Sequence, residues 1–297
     1  MLLKKVIRRK RTWAVFIPAL LVYLANPFLH FYQSDAAWLK SLGVDQRADA
    51  TAGTITAPAA NLRYLRIGND AAKPLLIFVH GAPGSGMFWD PLLMDEELQK
   101  TANLLVYDRP GYGGSDYGKA MLSVQQQAEQ LHFLVQDQAL PDQPIVVIGS
   151  SYGGTVAARL AMDYPDLIDG LMLQSASLKA GSEAIFSITY PTSHWSLRWL
   201  VPGAWDVANQ EKLSHERELL AMESDWDNII TPSVIIQGSA DWLIYPDNSY
   251  YACTEMICAP RIIHHMVKDG AHDLIWTMPE LLRDYLLQLL QGAGLKN

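Results

Sequence analysis

One serine lies between two glycines at the point where an apolar run meets a helix-compatible segment. Residues 145–148 are apolar and β-branched, residues 149–153 read Gly-Ser-Ser-Tyr-Gly, and residues 155–161 suit a helix. This order predicts a strand, a tight turn and a helix, with Ser151 at the apex. Such a turn brings the residues two before and two after the serine against neighbouring backbone, where a Cβ would clash. The helix N-terminus then directs N–H groups at the hydroxyl and stabilises a developing oxyanion.

The serine doublet leaves one choice of nucleophile. If Ser150 were at the apex, Ile148 and Tyr152 would have to occupy the two glycine positions, and neither side chain fits there. Ser151 is therefore the candidate nucleophile. A serine hydroxyl is weakly nucleophilic at neutral pH, so it requires an adjacent base.

A candidate acid and a candidate base follow in chain order. The apolar run at 234–236 leads to Asp241, and a later strand pattern at 262–267 leads to His272. An imidazole can accept and return a proton near neutral pH, and a carboxylate can hold it in the required tautomer. We predict His272 as the base and Asp241 as its partner. The neighbouring Asp273 is the less favoured acid, because its side chain is expected to face away.

These motifs together resemble those of the α/β-hydrolase fold family. The chain has an HGxPG-type loop at 80–84, an Asp-Arg-Pro-Gly-Tyr-Gly-Gly-Ser loop at 108–115, and the serine, acid and histidine in the family's order. The resemblance covers about residues 60–292. One small departure is that a proline often found about four residues after the acid is here Pro246, one position later. The resemblance implies a mostly parallel twisted sheet with helices on both faces and a short helical lid insertion.

Two backbone amides are the expected oxyanion donors. The first is the N–H of Tyr152, directly after the nucleophile, and the second is the N–H of Ala82, in the loop that follows the strand pattern at 74–79. Pro83 has no N–H and cannot donate. His80 opens this loop, and we expect it to bond backbone and hold the loop in place.

The domain organisation follows from the alternation of strand and helix patterns. We predict a basic N-terminus with an anchor or signal peptide over residues 1–34, an irregular tether over 35–60, and one catalytic domain over 61–292. The alternation favours a mostly parallel sheet covered on both faces. Expected strands lie near 62–67, 74–80, 103–107, 144–149, 171–174, 233–238 and 261–267, and expected helices near 124–139, 152–164 and 278–290.

An insertion at about 178–231 exceeds an ordinary connection. It is rich in aromatic residues, of which two or at most three are expected to contact substrate, while the rest pack the lid on the body: Phe186, Tyr190, Trp195, Trp199, Trp205 and Trp226. In this position the family places a lid over the active site. We predict that Trp195 and Trp199, together with Trp242 beside the acid, line an apolar substrate pocket.

The N-terminus combines a basic cluster with an uncharged apolar run. Six cations lie within residues 1–11, and residues 12–34 contain no Asp, Glu, Lys or Arg. This length suits a membrane-spanning helix whose basic flank stays in the cytoplasm. A cleaved signal peptide is the alternative, with a small-x-small site before Ala37. We expect a membrane-anchored protein with its catalytic domain on the periplasmic or extracellular side, or else a secreted one.

The remaining composition limits partners and cofactors. Without the six N-terminal cations, 17 basic and 31 acidic residues remain, which argues against nucleic-acid binding. The histidines lack metal-ligand spacing, and no nucleotide-binding glycine loop is present, so we expect no metal and no cofactor. Nothing indicates an obligate protein partner. Cys253 and Cys258 would form a local disulfide in an oxidising compartment or stay reduced elsewhere.

The sequence therefore predicts a serine hydrolase that acts through an acyl-enzyme on small apolar esters. Ser151 would attack, His272 would transfer the proton, Asp241 would orient the imidazole, and the amides of Ala82 and Tyr152 would bind the oxyanion. A C–C bond hydrolase, a small peptidase and a cofactor-free haloperoxidase remain alternatives on the same fold. A non-catalytic binding protein is the alternative from another class, although the presence of all three triad residues argues against it.

Overall fold

The computed structural model of the protein describes residues 31–293, and its strands form one eight-stranded sheet. The strands are β1 Ala50–Thr56, β2 Asn61–Ile67, β3 Leu75–Val79, β4 Asn103–Tyr107, β5 Ile145–Ser150, β6 Gly170–Gln174, β7 Ser233–Gly238 and β8 Ile262–Val267. They lie in the order β1-β2-β4-β3-β5-β6-β7-β8. Strand β2 pairs antiparallel with β1 and β4, and the five other neighbouring pairs are parallel. The predicted mostly parallel sheet is confirmed.

Helices connect these strands. They are α1 Asp35–Ser41, α2 Asp90–Leu93, α3 Glu96–Thr101, α4 Val124–Gln138, α5 Tyr152–Asp163, α6 Thr189–Thr192, α7 Trp195–Arg198, α8 Gly203–Ala221, α9 Asp247–Glu255, α10 Leu274–Thr277 and α11 Pro279–Ala293, with 3₁₀ turns at Gly86–Trp89 and Glu223–Asn228. Helices α6, α7 and α8 lie between β6 and β7, where the sequence predicts a helical lid. The α/β architecture with this insertion is confirmed.

The alternating side chains of the buried strands create two apolar layers, one on each face of the sheet. In β3, Leu75, Ile77 and Val79 pack with α4 and α5, whereas Leu76 and Phe78 pack with α1 and α11. Successive side chains of a strand point to opposite faces, so a strand between two helical layers must be apolar throughout. All five residues of β3 are buried, and this double burial explains the continuous apolar runs in the sequence.

The segment predicted as an irregular tether is part of the folded domain. Helix α1 buries Trp38 completely in the core layer beside α11, and β1 pairs with β2 along its whole length. The boundary at residue 61 is therefore wrong. Strand β1 was not predicted because it is an edge strand: none of its residues 50–56 is fully buried, and it includes Gly53. Its pairing depends on β2 and not on its own apolar pattern.

The predicted membrane anchor or signal peptide falls almost wholly on residues 1–30, outside the described residues. None of the helices between residues 31 and 293 is long and apolar enough to cross a bilayer. The two cysteines of the chain are both free thiols, with Cys253 half-buried and Cys258 exposed.

Candidate active site

Strand β5 and helix α5 meet at a turn that projects Ser151 from the sheet. Ser151 has φ 53° and ψ −125°, a conformation that a residue other than glycine rarely adopts. A Cβ at Gly149 would overlap the carbonyl oxygen of Gly153, and a Cβ at Gly153 would overlap that of Val79. The turn therefore exists only because these two positions lack side chains. The preceding Ser150 is the last residue of β5 and is buried.

Asp241 and His272 meet in the loops that follow β7 and β8. The Nδ1 atom of His272 lies 2.8 Å from Oδ2 of Asp241. The Asp241 side chain is fully buried, and its Oδ1 accepts hydrogen bonds from the backbone N–H groups of Leu243 and Ile244, each at 3.0 Å. Gln237 also donates to Oδ2, at 3.0 Å. The carboxylate is thus fixed, and it directs Nε2 of the imidazole away from itself.

The loop after β3 lies directly beside the serine. A Cβ placed on Gly81 would be 3.0 Å from the Cβ of Ser151, and Ala82 and Tyr152 border the same cavity as the serine. Within residues 31–293, neither the Ala82 N–H nor the Tyr152 N–H donates a hydrogen bond to another protein atom. Both groups are therefore available to an oxygen atom bound next to Ser151.

His80 holds this loop as predicted from its position. Its Nε2 accepts a hydrogen bond from the backbone N–H of Arg109 at 2.9 Å, and its Nδ1 donates to the carbonyl of Gly81 at 2.7 Å. Burial and the charge of Arg109 keep the pKa of His80 well below its usual value. The ring is consequently neutral, with one nitrogen accepting and the other donating. A neutral ring with this tautomer matches both bonds, so it stabilises the loop without adding a buried charge.

The cavity at Ser151 has a volume of about 240 Å³. It opens between the carboxyl ends of the parallel strands and the lid. Its walls consist of Gly81, Ala82, Pro83, Gly84, Phe88, Ser150, Ser151, Tyr152, Glu183, Ala184, Phe186, Thr189, Trp205, Ala208, Asn209, Lys212, Leu243, Ile244 and His272. The structure therefore places Ser151 and His272 in one cavity, with Asp241 behind the histidine.

A charged cluster forms part of the lid wall of this cavity. Glu183 receives the Lys212 ammonium at 2.8 Å and Nδ1 of His215 at 3.0 Å, and the hydroxyl of Ser177 donates to it at 2.9 Å. Burial alone would raise the pKa of Glu183, but the charges and hydrogen bonds of His215 and Lys212 outweigh it and lower the pKa to about 2. The other ring nitrogen of His215 meets the hydroxyl of Thr155 at 3.1 Å. This cluster ties the lid helix α8 to α5.

A second buried network ties α8 to the loop beside the serine. The Arg109 guanidinium donates to the Glu211 carboxylate at 2.8 and 3.1 Å and to the carbonyls of His80 at 2.8 Å and Gly81 at 3.3 Å. The hydroxyl of Tyr112 adds a 2.7 Å bond to Glu211. Both charged side chains are fully buried. One arginine therefore connects the lid with the loop that carries Ala82.

Comparison with known proteins agrees with this architecture. A family profile described as the alpha/beta hydrolase fold matches residues 74–213. The crystal structure of the carboxylesterase CesB from Bacillus subtilis superposes with a TM-score of 0.66 at 17% identity, covering 93% of this chain and 99% of that one. The profile and the superposition agree that this chain has the α/β-hydrolase fold.

Two relatives match a shorter part of this chain. An uncharacterized vacuolar membrane protein of Saccharomyces cerevisiae is 30% identical over 103 residues, which is 34% of this chain and 16% of that protein. The monoacylglycerol lipase ABHD6 of Bos taurus is 31% identical over 107 residues, which is 36% of this chain and 31% of the lipase. The matched stretch therefore spans less than a third of either relative.

The predicted pocket residues need correction. Trp195, Trp199 and Trp242 do not line the cavity, and their side chains are largely exposed. Two other lid aromatics, Phe186 and Trp205, line it instead. The prediction of these tryptophans rests on residue type, which does not reveal the direction in which a side chain points.

Sequence reasoning missed the charged lid wall. The two histidines of β8 do not line the cavity, because His264 bonds Ser249 and His265 bonds Tyr285. The sequence does not predict Glu183, Lys212 and Glu211 as site residues, because the residues that they bind lie far away in the sequence. One available signal was the presence of acidic and basic residues at 206–218 on a helix that must cover an apolar site.

Proposed function

We propose that the protein is a serine hydrolase that cleaves carboxylic esters of small apolar substrates. One observation carries the proposal. The strained Ser151 shares a cavity with His272, whose Nδ1 lies 2.8 Å from the buried carboxylate of Asp241. This arrangement supplies a nucleophile, a base and a group that orients the base.

The first half of the reaction forms an acyl-enzyme. The Ser151 oxygen attacks the substrate carbonyl carbon while Nε2 of His272 takes the hydroxyl proton, and Asp241 stabilises the imidazolium through Nδ1–H. The carbonyl oxygen becomes an oxyanion that accepts hydrogen bonds from Ala82 N–H and Tyr152 N–H. The tetrahedral intermediate then expels the alcohol, which leaves with the proton held by His272.

The second half releases the acid. A water molecule gives a proton to Nε2 of His272 as its oxygen attacks the acyl carbonyl, and the same two amides bind the new oxyanion. Collapse of this intermediate breaks the bond to Ser151, and the serine oxygen recovers the proton from His272. The protein returns to its starting state with no redox change and no external reagent except water.

The cavity supports an apolar substrate of modest size. Ligand pockets run from about 300 to 1,000 Å³, and this one is about 240 Å³. Phe186, Trp205, Leu243 and Ile244 supply apolar wall, while Lys212 and Asn209 supply polar groups on the lid. The names of the two similar enzymes, a carboxylesterase and a monoacylglycerol lipase, support an ester substrate.

A serine-directed fluorophosphonate probe tests the proposal. The wild-type protein and Ser150→Ala should be labelled, whereas Ser151→Ala should lose labelling and all turnover of a panel of p-nitrophenyl esters. Ser150 is the matched control because it is the adjacent serine and is buried. Labelling of Ser150, or of neither serine, would remove the proposed nucleophile. Cleavage of vinylogous 1,5-diketones or short amides in preference to esters would favour the C–C hydrolase or peptidase alternative.

We also propose that the N-terminal segment anchors the protein in a membrane with the catalytic domain outside the cytoplasm. The basic cluster and the uncharged run at 12–34 support this, as does the name of the yeast relative. The protein should resist carbonate extraction, and external protease should reach the domain. A soluble product that begins at Ala37 would indicate a cleaved signal instead. Such cleavage would also remove Asp35, whose carboxylate accepts a hydrogen bond from Arg63 at 2.7 Å.

A further inference from the structure

The lid exposes a run of large apolar side chains. The exposed fractions are 65% for Ile188, 59% for Tyr190, 81% for Trp195 and 64% for Trp199. We call this set of one isoleucine and three aromatic residues the aromatic face. A soluble surface seldom concentrates so much apolar area in a stretch of twelve residues, because such a patch gains free energy when something covers it.

The aromatic face lies in a stretch that is almost free of charge. Residues 184–205 contain no Asp, Glu or Lys in a chain that has 31 acidic residues. The stretch contains one arginine, Arg198, and its guanidinium forms an ion pair with Asp206 at 2.7 Å. Trp and Tyr rings favour the boundary between lipid head groups and acyl chains, and an acidic surface would be repelled there. The composition suits a lipid bilayer.

The start of the described chain lies next to the lid. Phe31 packs against the cluster formed by Tyr112, Ala204 and Val207, and the last two belong to the first turns of α8. The uncharged run at 12–34 ends at this point, and the sequence predicts that it enters a membrane. A bilayer that holds this run must therefore come close to the N-terminal end of α8. The aromatic face directly precedes α8 in the chain.

The same stretch borders the cavity at Ser151. Phe186 and Thr189 flank Ile188 in the sequence and line the cavity, and Trp205 lines it from the first turn of α8. A molecule that leaves a bilayer beneath the aromatic face would thus meet the cavity without crossing bulk water.

We propose that the aromatic face of the lid docks on the lipid bilayer that holds the N-terminal segment, and that the enzyme takes a bilayer-dissolved ester as its substrate. The docking stands on the exposure, charge and position of the lid, whereas the substrate statement rests on the proposed function. The rings would enter the head-group region to a depth of roughly 5–10 Å. Other sides of the domain would remain in water.

A fluorescent label tests the docking without relying on catalysis. The full-length protein, with Cys253→Ser and Cys258→Ser, receives Trp195→Cys and an environment-sensitive label, and it is reconstituted into phosphatidylcholine vesicles. Nitroxide-labelled lipid should quench this label roughly twofold or more at the expected depth. The control is Gln136→Cys, which is exposed in the last turn of α4, near the opposite end of β5 from Ser151. It should show no quenching although the same anchor tethers it.

Equal quenching at the two positions, no quenching at position 195, or failure of the protein to bind vesicles would overturn the docking.

A second measurement compares wild type with Trp195→Ser/Trp199→Ser on two esters. The double variant should cleave a long-chain ester in vesicles about tenfold more slowly and a soluble short-chain ester at the wild-type rate. Equal rates on the vesicle ester would refute bilayer supply of substrate. If the wild-type protein cleaved neither ester, the proposed function would be refuted, and the quenching result alone would decide the docking.

Discussion

The two walls of the cavity are held in different ways. The body wall carries Ser151, His272 and the backbone amides of Ala82 and Tyr152. Its shape follows from the backbone: glycines without room for a Cβ, a positive φ at Ser151 and the ends of the parallel strands. The lid wall carries Phe186 on a loop and Trp205 and Lys212 on helix α8, and the buried ion pair between Arg109 and Glu211 fastens it to the body.

We therefore expect the body wall to govern the catalytic step and the lid wall to govern stability and substrate preference. Backbone geometry tolerates few alternatives, so the body wall should fail completely when one group changes. Side-chain pairs can be altered one at a time, so the lid wall should change stability or preference by steps. Arg109 is the exception, because it contacts both walls through Glu211 and the carbonyls of His80 and Gly81.

The largest effect is expected on the body wall. Asp241→Asn should lower kcat by about 10³–10⁴-fold, because the amide would favour the wrong tautomer of His272. Steady-state kinetics on a soluble ester measure kcat, and substrate binding should change far less than kcat. Asp273→Asn is the control and should retain activity. If Asp273→Asn were inactive and Asp241→Asn active, the acid would belong to the neighbouring position.

The link between the walls should give the next largest effect. Glu211→Ala leaves the buried Arg109 guanidinium without its carboxylate, which should lower the free energy of unfolding by about 3–5 kcal/mol. Urea denaturation measures this. The control is Glu216→Ala, exposed on the same helix, which should change stability by less than about 0.5 kcal/mol. Equal stability of the two variants would show that the lid is not fastened through this pair.

The charged cluster of the lid should make stability depend on pH. The pKa of Glu183 is lowered from 4.5 to about 2, so its ionised form stabilises the fold above pH 4.5, and this contribution is lost as the pH falls towards 2. The loss corresponds to about 3 kcal/mol. Glu183→Gln should remove this part of the pH dependence, and Glu216→Gln should keep it. Urea denaturation at pH 7, 4.5 and 3 compares the variants, and parallel curves for wild type and Glu183→Gln would contradict the assignment.

The smallest effect concerns substrate preference. Glu183 is the one side-chain partner of the Lys212 ammonium among the described residues, so other hydrogens of this group remain for an oxygen of the substrate. Lys212→Met should lower kcat/KM about tenfold for an ester whose alcohol part bears a hydroxyl, a value expected for one hydrogen bond to a charged group. A simple alkyl ester of equal length should be cleaved nearly as before. A uniform change for both esters would contradict a role in selectivity.

Sequence reasoning succeeded where a local pattern has a single structural solution. The apolar runs predicted seven of the eight strands, and the Gly-x-Ser-x-Gly spacing predicted a turn that the structure contains around Ser151. It failed for β1, whose pairing depends on β2, and for the core residues Trp38, Leu42 and Val44, because the seven-residue helix α1 and the turn after it are too short to show a clear apolar period. It also failed for the lid tryptophans, because the orientation of four-residue helices depends on the contacts of their neighbours.

The sequence by itself determined seven strands of the sheet, the turn at Ser151 and the order of serine, acid and histidine, because steric exclusion and strand burial act on neighbours in the chain. The tertiary structure alone decided which residues face one another across the lid. Glu211 meets Arg109 across 102 positions and Glu183 meets His215 across 32. Such pairs leave no periodic signal, since their free energy arises only when distant segments exclude water from the same space.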